Sequence, residues 1–77
     1  MNNLILFATY WNEIEWIRPS LAQIDRIDPM EIIICDGCFD PRQPNRSTDG
    51  TRDIISRVWF THQASAASWN FFGRYSL

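Results

Sequence analysis

The chain of 77 residues contains no lysine, one histidine, two cysteines and three glycines. Without lysine it has neither a Walker-type phosphate loop nor a Schiff-base residue, and its glycines do not form a dinucleotide-binding string. Its arginines are spread along the chain against nine acidic residues, so no basic stripe favours a nucleic acid as partner. The N-terminal apolar run is short and has no basic segment before it. This predicts neither a signal peptide nor a membrane span, and favours a cytoplasmic location.

The two cysteines, Cys35 and Cys38, have the spacing of a redox pair or of half a zinc site. A structural zinc needs four ligands, and His62 is the one further nitrogen or sulfur donor of this kind. A thioredoxin-like pair opens a helix, whereas a proline-rich loop follows Cys38. A thiol module is therefore the weakest of the alternatives, and we expect Cys35 to be a small buried strand residue and Cys38 a loop thiol.

The composition is that of a small globular domain, with 45% hydrophobic and 14% aromatic residues. Residues 4–8 (LILFA) form a continuous apolar run, which predicts a strand covered on both faces. A helix is predicted from near Glu15, with Pro19 in its first turn and residues 27–29 (IDP) at its end. Residues 30–35 (MEIIIC) predict a second strand, and the strand–helix–strand order indicates parallel pairing.

The second half of the chain gives weaker signals. Residues 47–51 (STDGT) predict a capped turn opening a short helix, whose apolar side carries Ile54, Ile55 and Val58. Residues 58–62 (VWFTH) predict a third strand. Residues 63–77 (QASAASWNFFGRYSL) show no clear period, and the tail of residues 69–77 carries four large aromatic side chains, for which so small a chain offers little interior. We expect this tail to be poorly packed. The aromatic residues concerned are Trp69, Phe71, Phe72 and Tyr75.

Asp36 stands directly after the second apolar run, where an ionised carboxylate is costly unless it leaves the core or finds a partner. The carboxyl ends of parallel strands are also where α/β proteins bind ligands. Asp36 is therefore a candidate ligand contact. The alternative is that it accepts hydrogen bonds from loop amides and only shapes the loop.

The succession of strand, ATYWNE, helix, EIIICDG, loop, STDGT, helix and strand resembles the N-terminal half of a family-2-type glycosyltransferase with the GT-A fold. The resemblance covers residues 4–61, and two linked strings at the right separation are more specific than either alone. The chain departs from the family pattern at four places. Ala8 stands for a proline, Trp11 is inserted, Gly37 stands where a second aspartate is common, and DPRQPNR interrupts a short turn.

The resemblance implies an α/β fold, a Rossmann-like parallel sheet with flanking helices, forming a single partial domain over residues 1–77. It implies that Asp36 accepts a hydrogen bond from the imide N–H of a uracil-like base. Glu13 would support the nucleotide pocket, or would be an acid favoured at a helix N-terminus. The STDGT string is interpreted as structural. The nucleotide-binding residues implied are Ala8, Thr9, Tyr10, Glu13 and Asp36.

The resemblance also implies which parts of such an enzyme this chain does not carry. The family's metal-binding Asp-x-Asp and its catalytic base follow later strands, so no catalytic or metal-ligating residue is assigned here. The complete enzyme would use a divalent cation, Mn or Mg, and a nucleotide-sugar donor of UDP type, with an unknown acceptor. We expect the chain alone to be inactive. The alternative function is a non-catalytic nucleotide-binding or interaction module.

Overall fold

The computed structural model describes residues 2–37, 40, 42–43 and 46–72. Three strands and two helices alternate along them, and the strands form one parallel sheet in the order β1-β2-β3. This is a small α/β domain, consistent with the predicted Rossmann-like architecture. The elements are β1 (Ile5–Tyr10), α1 (Ile17–Ile27), β2 (Glu31–Asp36), α2 (Thr51–Thr61) and β3 (Ser68–Phe72).

The first β-α-β unit is as predicted. β1 and β2 pair in parallel, with Leu6 opposite Ile32 and Tyr10 opposite Asp36. Pro19 is the third residue of α1, where its missing N–H removes no intrahelical hydrogen bond. The helix ends at Ile27, and Asp28 caps it: its N–H donates to the carbonyl of Ile24, and its left-handed backbone (φ 52°) turns the chain out of the helix.

The prediction of a third strand over residues 58–62 is wrong, because residues 58–61 continue the second helix and His62 follows its end. β-branched and aromatic residues favour strands when taken locally. In the helix, however, Ile55 is fully buried and Val58 packs beside the core. The indole N–H of Trp59 also donates to the Trp69 carbonyl at 3.0 Å, which ties α2 to the sheet. Packing on the sheet therefore outweighs local strand propensity.

The third strand takes in residues 69–72 of the tail that was expected to be poorly packed, and the expectation is wrong for Trp69, while Phe72 is 53% exposed. Ile32 of β2 pairs with Trp69, which is 7% exposed and belongs to the core. The sequence does carry the period of a half-buried strand here, since Trp69 and Phe71 alternate with polar Ser68 and Asn70. The rest of the predicted tail, residues 73–77 with Tyr75, lies outside the described residues.

The two helices pack on the same face of the sheet. Isoleucine side chains of the strands and helices form the centre of the core, with Ile17, Ile32, Ile34 and Ile55 each no more than 1% exposed. The prediction that both faces of β1 are covered is wrong, since Ile5 and Phe7 are 58% and 60% exposed. We call the uncovered side, which carries Ile5, Phe7, Ile33 and Phe72, the open face.

Among the described residues, neither helix has the length and apolar character needed to cross a membrane.

Candidate functional site

The carboxyl ends of β1 and β2 lie side by side, as the sequence predicts. Tyr10 and Asp36 are register partners, and the N–H of Gly37 donates to the carbonyl of Tyr10 at 3.0 Å. The predicted contact residues Ala8, Thr9 and Tyr10 therefore share one edge of the sheet with Asp36. This is the edge at which parallel sheets bind their ligands.

Asp36 is fully buried, and its carboxylate is held from within the chain. The backbone nitrogen of Ser47 lies 3.2 and 3.0 Å from its two oxygens, and the Ser47 hydroxyl donates to Oδ1. Arg52 Nη1 stands 3.8 Å from Oδ2. The acid at the end of the apolar strand is tolerated because these donors compensate for its desolvation.

These contacts are the loop-shaping hydrogen bonds that were the alternative to a base contact. With the side chain 0% exposed, a bound base could reach the carboxylate only after residues around Ser47 moved. The role of Asp36 as a base contact stays a prediction.

Two of the strings that carry the resemblance, ATYWNE and STDGT, are hydrogen-bonded to each other at this edge. The first contacts are made by Asn12. Asn12 has a left-handed backbone (φ 50°), a conformation that asparagine tolerates better than most residues. Its N–H donates to the Ser47 hydroxyl at 2.9 Å, and its side-chain oxygen accepts from the Thr48 N–H at 2.8 Å. Ser47 thus links Asn12 to Asp36, because its hydroxyl accepts from one and donates to the other.

Glu13 and Ile14, the next residues along the chain, also bond to the STDGT string. The N–H of Glu13 donates to the Thr51 hydroxyl at 2.9 Å, and the N–H of Ile14 donates to Asp49 Oδ2 at 3.1 Å. Both acceptors belong to STDGT, which is therefore structural, as predicted. The sequence did not show that this string stabilises the loop after β1 as well as its own helix. That partnership joins positions 35 to 38 residues apart, for which one sequence offers no local signal.

Asp49 takes the part of a capping residue for α2, although Gly50 stands at the cap position. Its Oδ1 accepts from the N–H of Thr51 at 3.0 Å and from the Thr51 hydroxyl at 2.6 Å. Desolvation raises the pKa of Asp49, but the hydrogen bonds from Thr51 and Ile14 outweigh it and hold the pKa below its ordinary value. Gly50 is required by the backbone itself, which has φ 98° there.

The five predicted nucleotide contacts differ in what they offer a ligand. Ala8 packs against the core, and the hydroxyl of Tyr10 is bonded to Ser20 in α1 at 2.8 Å, so both side chains point toward the helices. Thr9 and Glu13 are exposed at the edge and are the side chains that a ligand could reach directly.

Three of the clefts on the described surface bear on the choice of site, and one of them lies beside Pro29 and Trp69, among residues 24–32 and 65–69. A polar one follows β1 and is lined by residues 12–16, including exposed Glu13, Glu15 and Trp16. An apolar one runs between α1 and α2, lined by side chains such as Leu21 and Val58. The polar cleft follows the carboxyl end of β1 directly, so we place the candidate site there.

The thiol and metal alternatives gain no support from the described residues. Burial raises the pKa of the Cys35 thiol, which is the reverse of what a reactive thiolate requires. Cys38 lies outside the described residues. Within the described part of the chain, no group of three or more His, Cys, Asp or Glu side chains could hold a metal ion. These residues therefore do not fit the divalent cation expected for the complete enzyme.

Searches for related proteins found no match to a family model, a curated protein or a solved structure.

Proposed function

We propose that this chain is the nucleotide-binding part of a glycosyltransferase, and that it holds the base of a UDP-type sugar donor. One observation carries the proposal. The two loops that resemble the family's motifs, far apart in the sequence, are hydrogen-bonded to each other at the carboxyl ends of parallel strands. A ligand site at such an edge is the general expectation for open α/β sheets.

The roles follow from what each group can offer a nucleotide. The exposed hydroxyl of Thr9 and the carboxylate of Glu13 can bond the base or the ribose, while the buried Asp36 and Ser47 keep the loop in place. Glycosyl transfer also needs a base within about 3 Å of the acceptor hydroxyl, and stabilisation of the leaving diphosphate. The described residues assemble neither, so we expect binding without turnover from this chain.

Nucleotide titrations followed by calorimetry and amide chemical shifts test the proposal. Uridine diphosphate should bind more tightly than adenosine diphosphate, with shifts centred on residues 8–16. Thr9→Val and Glu13→Gln should each weaken binding by about threefold or more, because the first removes a hydroxyl that bonds the ligand and the second removes the charge of the accepting carboxylate. Thr61→Val is the matched control, since Thr61 lies at the far end of α2 and should leave binding unchanged.

Equal affinity for all nucleotides, or an equal effect of the Thr61 and Thr9 substitutions, would contradict nucleotide recognition at this edge. The second candidate, a non-catalytic interaction module, is favoured by a different observation, the apolar open face.

A further inference from the structure

Trp16 is the most exposed large apolar side chain beside the candidate site. It is 67% exposed and stands at the cap position before α1, where it lines the polar cleft of residues 12–16. The cleft has a volume of about 350 Å³, which is within the range of small-molecule sites. Because so much of the indole is exposed, it contributes little to the packing of the fold.

The backbone that carries Trp16 is fixed, although its side chain is not packed. The carbonyl of Glu13 accepts from the N–H groups of Trp16 and Ile17 at 2.9 and 2.8 Å, which closes a turn. The N–H of Glu13 is itself held by the Thr51 hydroxyl of the STDGT string. A side chain on such a fixed turn loses less conformational freedom on binding a ligand than one on a mobile loop.

Three side chains of the cleft have no partner in the described part of the chain. The carboxylates of Glu13 and Glu15 and the indole of Trp16 make neither a hydrogen bond nor an ion pair there. Among the described residues that line the cleft there is no cation. The cleft therefore offers one aromatic face on which a flat ring can stack, and two carboxylates that accept from hydroxyl groups.

We propose that Trp16 is the platform on which the base of the nucleotide stacks, and that Glu13 and Glu15 accept hydrogen bonds from the ribose hydroxyls. This inference rests on the proposed function and names the part of the ligand that the cleft holds. Bases stack on aromatic side chains because every base has a π-face. The phosphates lie outside the cleft, since its two carboxylates repel further negative charge.

A nucleoside fits this cleft better than the surface of another protein segment does. A segment packed over Trp16 would also cover Glu13 and Glu15, and burying carboxylates without partners is costly. A nucleoside supplies hydroxyl donors to the same carboxylates and leaves the rim of the cleft in water.

Titrations of the full 77-residue chain with uridine and with uridine diphosphate, followed by amide chemical shifts, test the inference. Trp16→Leu should weaken the binding of both ligands by about tenfold or more, because it removes the stacking face. The factor should be the same for both, since they share the base. Trp16→Phe keeps a smaller aromatic face and should lose only about threefold. Phe60→Leu is the matched control, because Phe60 is 74% exposed on α2, outside the cleft, and should leave binding unchanged.

The indole N–H resonances give a second readout that needs no substitution. The resonance of Trp16 should shift during the uridine titration, because the stacked base lies against its ring. The resonance of Trp69, which is 7% exposed in the core, should not shift. Circular dichroism spectra of the variants should match that of the unaltered chain, since the substituted side chains are exposed.

Failure of this inference is distinguishable from failure of the proposed function. If Trp16→Leu bound both ligands as tightly as the unaltered chain, or lost affinity no more than Phe60→Leu, the platform would be refuted while the preference for uridine stood. A loss for uridine diphosphate but not for uridine would also refute it, because the indole would then contact something other than the base. Equal affinity of the unaltered chain for uridine and adenosine diphosphates would instead contradict the proposed function, since stacking does not discriminate between bases. No binding of either ligand would overturn both.

Discussion

Replacing Asp36 by alanine should cost this small domain a large part of its stability. The change removes a buried carboxylate that accepts from the backbone N–H and the hydroxyl of Ser47, and leaves both donors without their acceptor. Hydrogen bonds to charged groups contribute about 1.5–3 kcal/mol each, and an unsatisfied buried donor costs about 1–3 kcal/mol. Because these two terms describe the same loss, we expect a decrease of about 3 kcal/mol in the free energy of unfolding.

That decrease is a large fraction of the total free energy of unfolding of this domain. A chain of this length has a total stability of about 4–12 kcal/mol at the usual value per residue. Asp36→Asn should cost less, about 1–2 kcal/mol, because the amide oxygen can still accept from the Ser47 N–H while the charge is lost. The exposed acid Asp53 in the first turn of α2 provides the matched control. Its replacement by alanine removes only a favourable interaction with the helix dipole, worth about 0.5 kcal/mol.

Urea unfolding followed by tryptophan fluorescence measures all three variants, with the slope against denaturant checked to be unchanged. The expected order of destabilisation is Asp36→Ala, then Asp36→Asn, then Asp53→Ala. If Asp36→Ala were no more destabilising than Asp53→Ala, the hydrogen bonds to Ser47 would not be what makes the buried acid tolerable. If Asp36→Asn kept its fold but lost all preference for uridine, the carboxylate would also be a base contact.

Two further predictions follow from the pKa shifts. The lowered pKa of Asp49 means that its carboxylate stabilises the fold above the unfolded-state pKa of about 3.9, and that this contribution is lost as the pH falls through the lower folded value. The unfolding free energy of Asp49→Asn should therefore depend less on pH below about 4 than that of the wild type, and parallel acid limbs would contradict this. The raised pKa of Cys35 predicts slow alkylation at neutral pH in a Cys38→Ser background, with a marked increase in urea. Alkylation at equal rates with and without urea would show that the thiol is accessible in the folded chain.

The first β-α-β unit could be predicted because its signals are local. Two apolar runs have the length of strands, and the stretch between them has the period of an amphipathic helix. Its proline is harmless only in a first turn, which fixes where that helix begins. Parallel pairing then follows from the order of the elements, and with it the meeting of the Tyr10 and Asp36 strand ends.

The boundary between α2 and β3 could not be predicted as safely. The stretch of Val58, Trp59 and Phe60 favours a strand on local propensity, and becomes helical because one side of that helix packs on the sheet. The alternation around Trp69 was a usable signal, but an aromatic-rich tail in so short a chain suggested that no interior remained for it. The sheet itself supplies that interior, since Trp69 pairs beside Ile32.

The amino-acid sequence by itself determined the α/β class, the first two strands and the placing of an acid at the end of the second. Those properties depend on neighbours within a few residues and on the order of the elements. Only the tertiary structure decided that Ser47 holds Asp36, that Asn12 and Thr48 join the two loops, and that Phe7 and Phe72 stay uncovered. A continuous apolar strand is compatible with either one or two covered faces. A hydrogen-bond donor for the buried carboxylate of Asp36 could likewise come from many positions in the loops. Both outcomes depend on contacts between distant parts of the chain, which local propensity and periodicity do not encode.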